Sequence, residues 1–227
     1  MVSTAGGKIM INILYEDNHI LVVEKPINIP VQADDSKDDN LLSKLKMYLK
    51  EKYNKPGNVY LGLIHRLDRP VGGVMVFAKT SKAASRLSEQ IRTNKFDKTY
   101  YAVIEGKPNK QDHLVDLLLK DTKTNKTAID KSGKKAILDY KLINTVENLS
   151  LVEIKLETGR SHQIRVQFSS RNLPLFGDQR YNSNAKVGEQ IALFAKRLAF
   201  EHPVTHESLH FELQLPNRKP FILFKNQ

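Results

Sequence analysis

Strand-length apolar runs that lie only a turn apart constrain this chain more than any other feature. Ile20, Val22 and Glu24 alternate with Leu21 and Val23, and the run stops at Lys25-Pro26. With the residues ahead of a turn at Glu16-Asp17-Asn18, this predicts two short strands within Ile11 to Glu24. Tyr60 to Ile64 and Val74 to Ala78 read as buried strands, and Tyr100 to Glu105 as another. Val152, Ile154 and Leu156 alternate with Glu153, Lys155 and Glu157, as do Phe211, Leu213 and Leu215 with their neighbours. Parallel neighbours need a crossover of about a dozen residues or more. The expected class is therefore α+β, with a mixed, largely antiparallel sheet and flanking helices.

Helical spacing is found over Leu41 to Tyr53 (Leu42, Leu45, Leu49), over Ser81 to Asn94 (Ala84, Leu87, Ile91), and over His162 to Arg171 (Ile164, Phe168). Gln32 to Asn40, with Asp34, Asp35, Asp38 and Asp39, reads as a solvated loop, and Lys120 to Lys135 as a lysine-rich loop. Residues 1–10 are expected to be a flexible tail and 11–227 a single domain. The chain has 227 residues, 40% hydrophobic and 27% charged, enough for a real core. It has no cysteine, which excludes disulfides and thiolate metal sites. No apolar run approaches a signal core or the ~18 residues of a membrane span, so a cytoplasmic protein is expected, with no membrane partner. The net charge of +11 and pI near 9.6 suit a polyanionic partner, because lysine and arginine release counterions from phosphates. Charge on its own serves solubility equally well.

Two constellations could carry chemistry. His65, Arg66, Asp68 and Arg69 crowd polar groups between two apolar strands, where burial is costly unless they are paired. A carboxylate flanked by arginines stays ionised and can act as nucleophile, base or metal ligand; a salt-bridged turn is the alternative. Thr158-Gly159-Arg160-Ser161-His162-Gln163-Ile164-Arg165 falls where a strand gives way to a helix, and reads as an anion site. An N-cap by Ser161 with solvent-facing arginines is the alternative there. Lys98-Thr99-Tyr100-Tyr101 places its two tyrosines on opposite faces of a strand, one for core and one free to stack on a base. No zinc-deaminase, P-loop or Rossmann pattern is present, and no histidine pair has metal-ligand spacing.

In order along the chain, Lys25-Pro26, His65-Arg66-Leu67-Asp68 with Gly73, Lys98-x-Tyr100, Thr158-Gly159-Arg160-x-His162-Gln163-Ile164-Arg165, Gly177-Asp178-x-x-Tyr181 and His202-Pro203 resemble the motif series of the RluA-type RNA pseudouridine synthases. The resemblance covers Ile11 to Leu215. It implies a pseudouridine synthase fold with a central catalytic cleft, and RNA as partner, transfer or ribosomal, acted on by a monomer with no metal and no cofactor. It gives Asp68 the role of catalytic aspartate, Tyr100 that of stacking on the uracil and moving a proton, and Arg165 that of pairing with the aspartate. Ile164 becomes an apolar wall of the uracil pocket, and Arg66 holds the stack open where the base was. His65, Arg160 and His162 join Arg66 and Ile164 as substrate-binding candidates. Val71-Gly72-Gly73 stands where many relatives have Thr-Ser-Gly, and Asn28 where many have glycine; asparagine tolerates left-handed backbone. Larger relatives carry an N-terminal RNA-binding module of the S4 type, which is not expected here. The implied reaction breaks the C1′–N1 bond of uridine, turns the uracil and forms a C1′–C5 bond. The sequence leaves both a covalent acylal and a glycal route open. A metal-dependent nuclease using Asp68 and Asp178, and a non-catalytic RNA-binding or RNA-folding protein, are the competing classes.

Overall fold

The computed structural model describes residues 11–33 and 38–225. The tail expected over 1–10 and the middle of the acidic loop lie outside the described residues. In chain order the elements are β1 (Asn12–Glu16), β2 (Ile20–Lys25), α1 (Leu41–Lys52), β3 (Gly62–Leu63), β4 (Gly72–Ala78), α2 (Ser81–Arg92), β5 (Asp97–Glu105), β6 (Gln111–Asp121), β7 (Lys126–Ile129), β8 (Lys134–Val146), β9 (Leu149–Leu156), α3 (Gln163–Ser169), β10 (Leu193–Glu201) and β11 (Ser208–Glu212). The fold is α+β with largely antiparallel strands, as the short, closely spaced apolar runs require. No helix among the described residues is long and apolar enough to cross a membrane.

The chain forms two compact units. The first comprises the residues up to Asp97 together with Arg197–Leu213. Here β2 pairs antiparallel with β1 and with β4, from Ile20 against Ala78 to Lys25 against Gly73. Ile20 to Val23 and Val74 to Ala78 are fully buried, which is why both read as continuous apolar runs. The Asn40 side chain caps α1 by accepting from the Ser43 amide at 2.9 Å, and Leu41, Leu45 and Leu49 bury its inner face. Thr80 caps α2 in the same way. Both helices end earlier than the spacing suggests, because Asn54 and Asn94 turn left-handed just beyond them. Only Gly62 and Leu63 of the predicted Tyr60–Ile64 strand pair, finding partners at Ala78 and Phe77, and Tyr60 is exposed. β11 pairs with the latter half of β10, and Leu213 and Leu215 follow it as irregular chain. Buried His202 accepts the Thr205 amide on Nδ1 and reaches Asp17 with Nε2 at 2.8 Å, bracing the β1–β2 turn.

The second unit holds Lys98–Lys196 and the residues from Gln214 on. β5, β9, β8, β6 and β7 follow one another as antiparallel neighbours. The segment Lys120 to Lys135 is strand and tight turn rather than loop: β6 runs to Asp121, β7 returns from Lys126, and β8 starts at Lys134. Asp121 accepts the Lys123 amide in the first turn, and Asp130 the Ser132 amide in the second. Within this stretch only Thr127 is buried, so no apolar alternation marks the strands.

Candidate active site

In the first unit the segment between β3 and β4 presents the first constellation. His65 is anchored: its Nε2 accepts the Val76 amide at 3.2 Å, and its ring lies 5.7 Å from that of Phe96, which stacks on Phe200. Leu67 is buried, which turns its neighbours outward. Asp68 is half-buried, and its carbonyl accepts the Val71 amide at 2.9 Å to close a turn. Gly73 ends the segment at φ 130°, a conformation side-chain-bearing residues rarely adopt. Asn28, at φ 63°, takes the left-handed turn anticipated for it.

The arginines flanking Asp68 are deployed otherwise than the sequence suggests. Arg69 donates to Asp38 at 2.5 Å, and Arg66 is exposed, with no hydrogen bond or ion pair among the described residues. The cation lodged against this segment is Lys25. Its buried ammonium donates to the carbonyls of Pro26 (2.9 Å), Arg69 (3.0 Å) and Val71 (2.7 Å), pinning the turn that follows Asp68 to the end of β2. Burial pulls this ammonium down to about 7, against the Asp68 carboxylate, which favours the charged form; the Arg69 charge adds to the lowering. An unfolded lysine keeps its proton to 10.5. Between about 7 and 10.5 the unfolded chain therefore binds more protons here than the native one, and the group's contribution to stability rises with pH, by up to about 1.4 kcal/mol per unit. The difference in unfolding free energy between wild type and Lys25→Met, measured in urea, should thus move in favour of wild type from pH 6.5 to pH 9. A difference independent of pH would mean that the three carbonyls keep the ammonium charged throughout.

In the second unit, Tyr100 and Tyr101 face opposite ways on β5, as the alternation requires. Tyr100 is buried, opposite Ile154 of β9, whereas Tyr101 is half-buried and donates to Glu153. The turn between β9 and α3 is held by its own motif residues. Gln163 accepts from the Thr158 hydroxyl (2.8 Å) and the Arg160 amide (3.0 Å) and donates to the Ile137 carbonyl (3.0 Å). Arg160 is exposed, its Nε on the Lys135 carbonyl. The N-cap of α3 is His162, in left-handed backbone at φ 53° and without a side-chain cap bond, so Ser161 does not cap the helix. Ile164 and Arg165 are buried in its first turn.

The Gly177–Asn182 turn organises these groups. Asp178 receives Arg165 in two parallel bonds, Nε to Oδ2 at 2.8 Å and Nη2 to Oδ1 at 2.6 Å. Gly177 allows the turn at φ 69°, where a Cβ would lie 2.6 Å from the Gln190 carbonyl oxygen. The Tyr181 ring lies 5.1 Å from the Arg165 guanidinium. Its hydroxyl accepts the Thr127 amide at 2.9 Å and is hydrogen-bonded to His162 Nδ1 at 2.7 Å. Burial raises the Tyr181 phenol and keeps it a donor. Arg180 meanwhile holds the tip of the β6–β7 hairpin through the Asn125 carbonyl at 2.6 Å. Sequence reading missed Asp178 and Tyr181 as partners of Arg165 and His162; the Gly-Asp-x-x-Tyr spacing was the available signal.

Asp178, with both oxygens committed to Arg165, is poorly placed to serve as a metal ligand. His113 of β6, Asp139 of β8 and Glu157 just past β9 do converge, with ligand atoms within 4.8 Å. Asp139 there already engages His113 Nδ1 at 2.7 Å.

Comparison with known proteins gives the fold and the family. The fold matches the solved structure of human RNA pseudouridylate synthase domain containing 4, with a TM-score of 0.79 at 22% identity, covering 94% of this chain and 92% of that one. A family model described as RNA pseudouridylate synthase matches residues 19–170. The chain is 35% identical over 232 residues to the ribosomal large subunit pseudouridine synthase D of Zymomonas mobilis, covering 96% of this chain and 73% of that protein. It is 33% identical to YhcT, an RNA pseudouridine synthase of Bacillus subtilis, covering 91% and 69%. The chain belongs to the RNA pseudouridylate synthase family, in its RluA-type branch, and is an RNA isomerase.

Proposed function

We propose that this enzyme converts uridine to pseudouridine in ribosomal RNA, with Asp68 as nucleophile and with both units serving one catalytic domain. The observation that carries the assignment of Asp68 is its loop: a half-buried carboxylate that opens a turn whose following residues, Arg69 and Val71, are pinned through their carbonyls by Lys25. The ribosomal substrate rests on the names of the relatives, several of them ribosomal large subunit pseudouridine synthases. Such a substrate places the enzyme in the cytoplasm.

The target uridine is first extruded from its stack, at a cost of about a few kcal/mol. Exposed Arg66 occupies the space the base has left. Asp68 attacks C1′ of the ribose as the C1′–N1 bond breaks, Tyr100 and Ile164 enclose the detached uracil while it turns, and C5 then bonds to C1′ as the Asp68 carboxylate leaves, enclosure supplying the effective concentration for that step. Arg165, fixed by Asp178, sets the charge balance of the aspartate, and Tyr100 moves the proton released from C5. Mapping pseudouridine in ribosomal and transfer RNA from cells with and without the gene tests the substrate. Loss of a ribosomal site is expected; loss confined to transfer RNA overturns that assignment.

RNA should be gripped in part by the β6–β8 hairpins, where Lys123, Lys126, Lys134 and Lys135 are all exposed. Replacing these four by glutamine should flatten the slope of log affinity against log salt by about 0.7 to 0.9 for each phosphate no longer engaged. An unchanged slope would mean that the hairpins face away from the RNA.

A further inference from the structure

Lys98 is a cation for which the described residues supply no partner. It begins the Lys98-x-Tyr100 pair on β5, and the alternation of a strand puts both side chains on one face, about 7 Å apart. Tyr100 is buried on that face, whereas Lys98 is half-buried and makes no side-chain hydrogen bond or ion pair among the described residues. Burial alone lowers its pKa, with no neighbouring charge acting on it. An ammonium withdrawn from water without a counter-ion is destabilising, and its cost is relieved when an anion arrives. One structural feature leaves it accessible. A Cβ on Gly159 would lie 3.6 Å from Lys98 Nζ, in van der Waals contact, so a large side chain at that position would lie against the ammonium. Gly159 does not adopt left-handed backbone, so conformation does not bar a side chain at this position.

We propose that Lys98 is the ion-pair partner of an RNA phosphate next to the target uridine, reached through the gap that Gly159 leaves in the Thr158–Gly159–Arg160 turn. The inference rests on the reading of the chain as a pseudouridine synthase in which Tyr100 takes the uracil. A compact, strongly hydrated point charge suits a phosphate oxygen. RNA carries such an anion at every nucleotide, so the base held by Tyr100 brings one within reach of the same strand face. Lys98 is then a binding residue that fixes the register of the strand, and the empty enzyme tolerates it as an uncompensated charge.

The opposed effects on stability and on binding make this testable. Lys98→Met should leave the melting temperature unchanged or raise it, because it deletes a half-buried charge that nothing pairs. It should also raise KM by about tenfold or more, as expected when a charge-assisted hydrogen bond is removed. Its salt slope should fall by about 0.7 to 0.9, the signature of one phosphate. Saturated turnover should stay within about threefold, and Lys98→Arg should restore most of the affinity. Gly159→Val should weaken binding similarly, and the double variant should be no worse than either single one. On stem-loops carrying one methylphosphonate at successive positions around the uridine, a single position should cost wild type affinity and cost Lys98→Met nothing further. A lower melting temperature with an unchanged salt slope would make Lys98 structural and overturn the proposal. So would a collapse of turnover at unchanged KM with an altered pH–rate profile, which would make it a proton-transfer group. Tritium release by wild type is the control that separates outcomes: if wild type is inactive on RNA, the functional reading itself fails, whereas an active wild type with an indifferent Lys98→Met sinks this inference alone.

Discussion

Asp68→Asn should abolish release of tritium from C5-labelled uridine RNA, by on the order of 10⁴-fold or more, while RNA affinity stays within several-fold. The substitution preserves shape. The turn around position 68 is closed by backbone atoms, the Val71 amide on the residue-68 carbonyl, and is anchored by buried Leu67. An amide fits the same volume and leaves these bonds in place. It lacks the negative charge that a nucleophile or base needs, and it removes the carboxylate that favours the charged form of Lys25. The fold should therefore survive, with Lys25 losing its proton more easily. Wild-type turnover should persist in excess EDTA on a prefolded stem-loop, since Arg165 holds both oxygens of Asp178 and no metal need bridge Asp68 and Asp178. Substantial activity in Asp68→Asn would remove the nucleophile assignment. Dependence on magnesium would reopen the nuclease alternative.

How far the sequence could be read depended on how local the cause was. β2 and β4 were legible because Ile20 to Val23 and Val74 to Ala78 are wholly buried and so become unbroken apolar runs. The left-handed turn at Asn28 was legible because that backbone admits few residue types. Motif order carried the family. The partners of the motif residues were another matter, because each is fixed by tertiary packing. Asp178 lies 13 positions beyond Arg165 along the chain, Thr127 and Tyr181 meet across 54 positions, and Lys25 reaches carbonyls more than forty positions away. The adjacent arginines are the obvious source of charge next to Asp68 in the sequence, whereas Arg69 turns to Asp38 in the fold. The turns that join β6, β7 and β8 escape notice because Thr127 is the one buried residue from Lys120 to Lys135, so this stretch carries no hydrophobic period and its lysines resemble a loop. The helix after Gly159 is legible from its spacing, but with Ser161 as its conventional cap; left-handed backbone at His162 replaces that cap and brings the imidazole to Tyr181.

The arginines at 165 and 66 should fail in different ways when each is replaced by methionine. The Arg165–Asp178 pair is nearly dry, with side-chain exposures of 7% and 1%. Arg165→Met leaves the Asp178 carboxylate buried with only the Arg180 amide among its identified donors. Breaking a buried pair from one side costs about 3–5 kcal/mol, which for a chain of this size lowers the melting temperature by roughly 10 °C. Turnover should fall with it, because the guanidinium is also held against Tyr181 in the first turn of α3. A double variant, Arg165→Met with Asp178→Leu, removes both charges together, and such replacements are often neutral or stabilising. It should therefore regain much of the stability and none of the activity. Arg66 is exposed and, among the described residues, makes no hydrogen bond or ion pair that the empty fold would miss. Arg66→Met should melt within a few degrees of wild type and turn over slowly on a stem-loop, since its interaction forms only after the base has left the stack. Its deficit should shrink on an unstructured RNA whose uridine is already unstacked, where less flipping work remains. Melting curves and single-turnover rates on the two substrates decide the matter. Equal melting of the two single variants, or an Arg66→Met deficit of the same size on both RNAs, would show that the division of labour between a structural pair and a flipping residue is wrong.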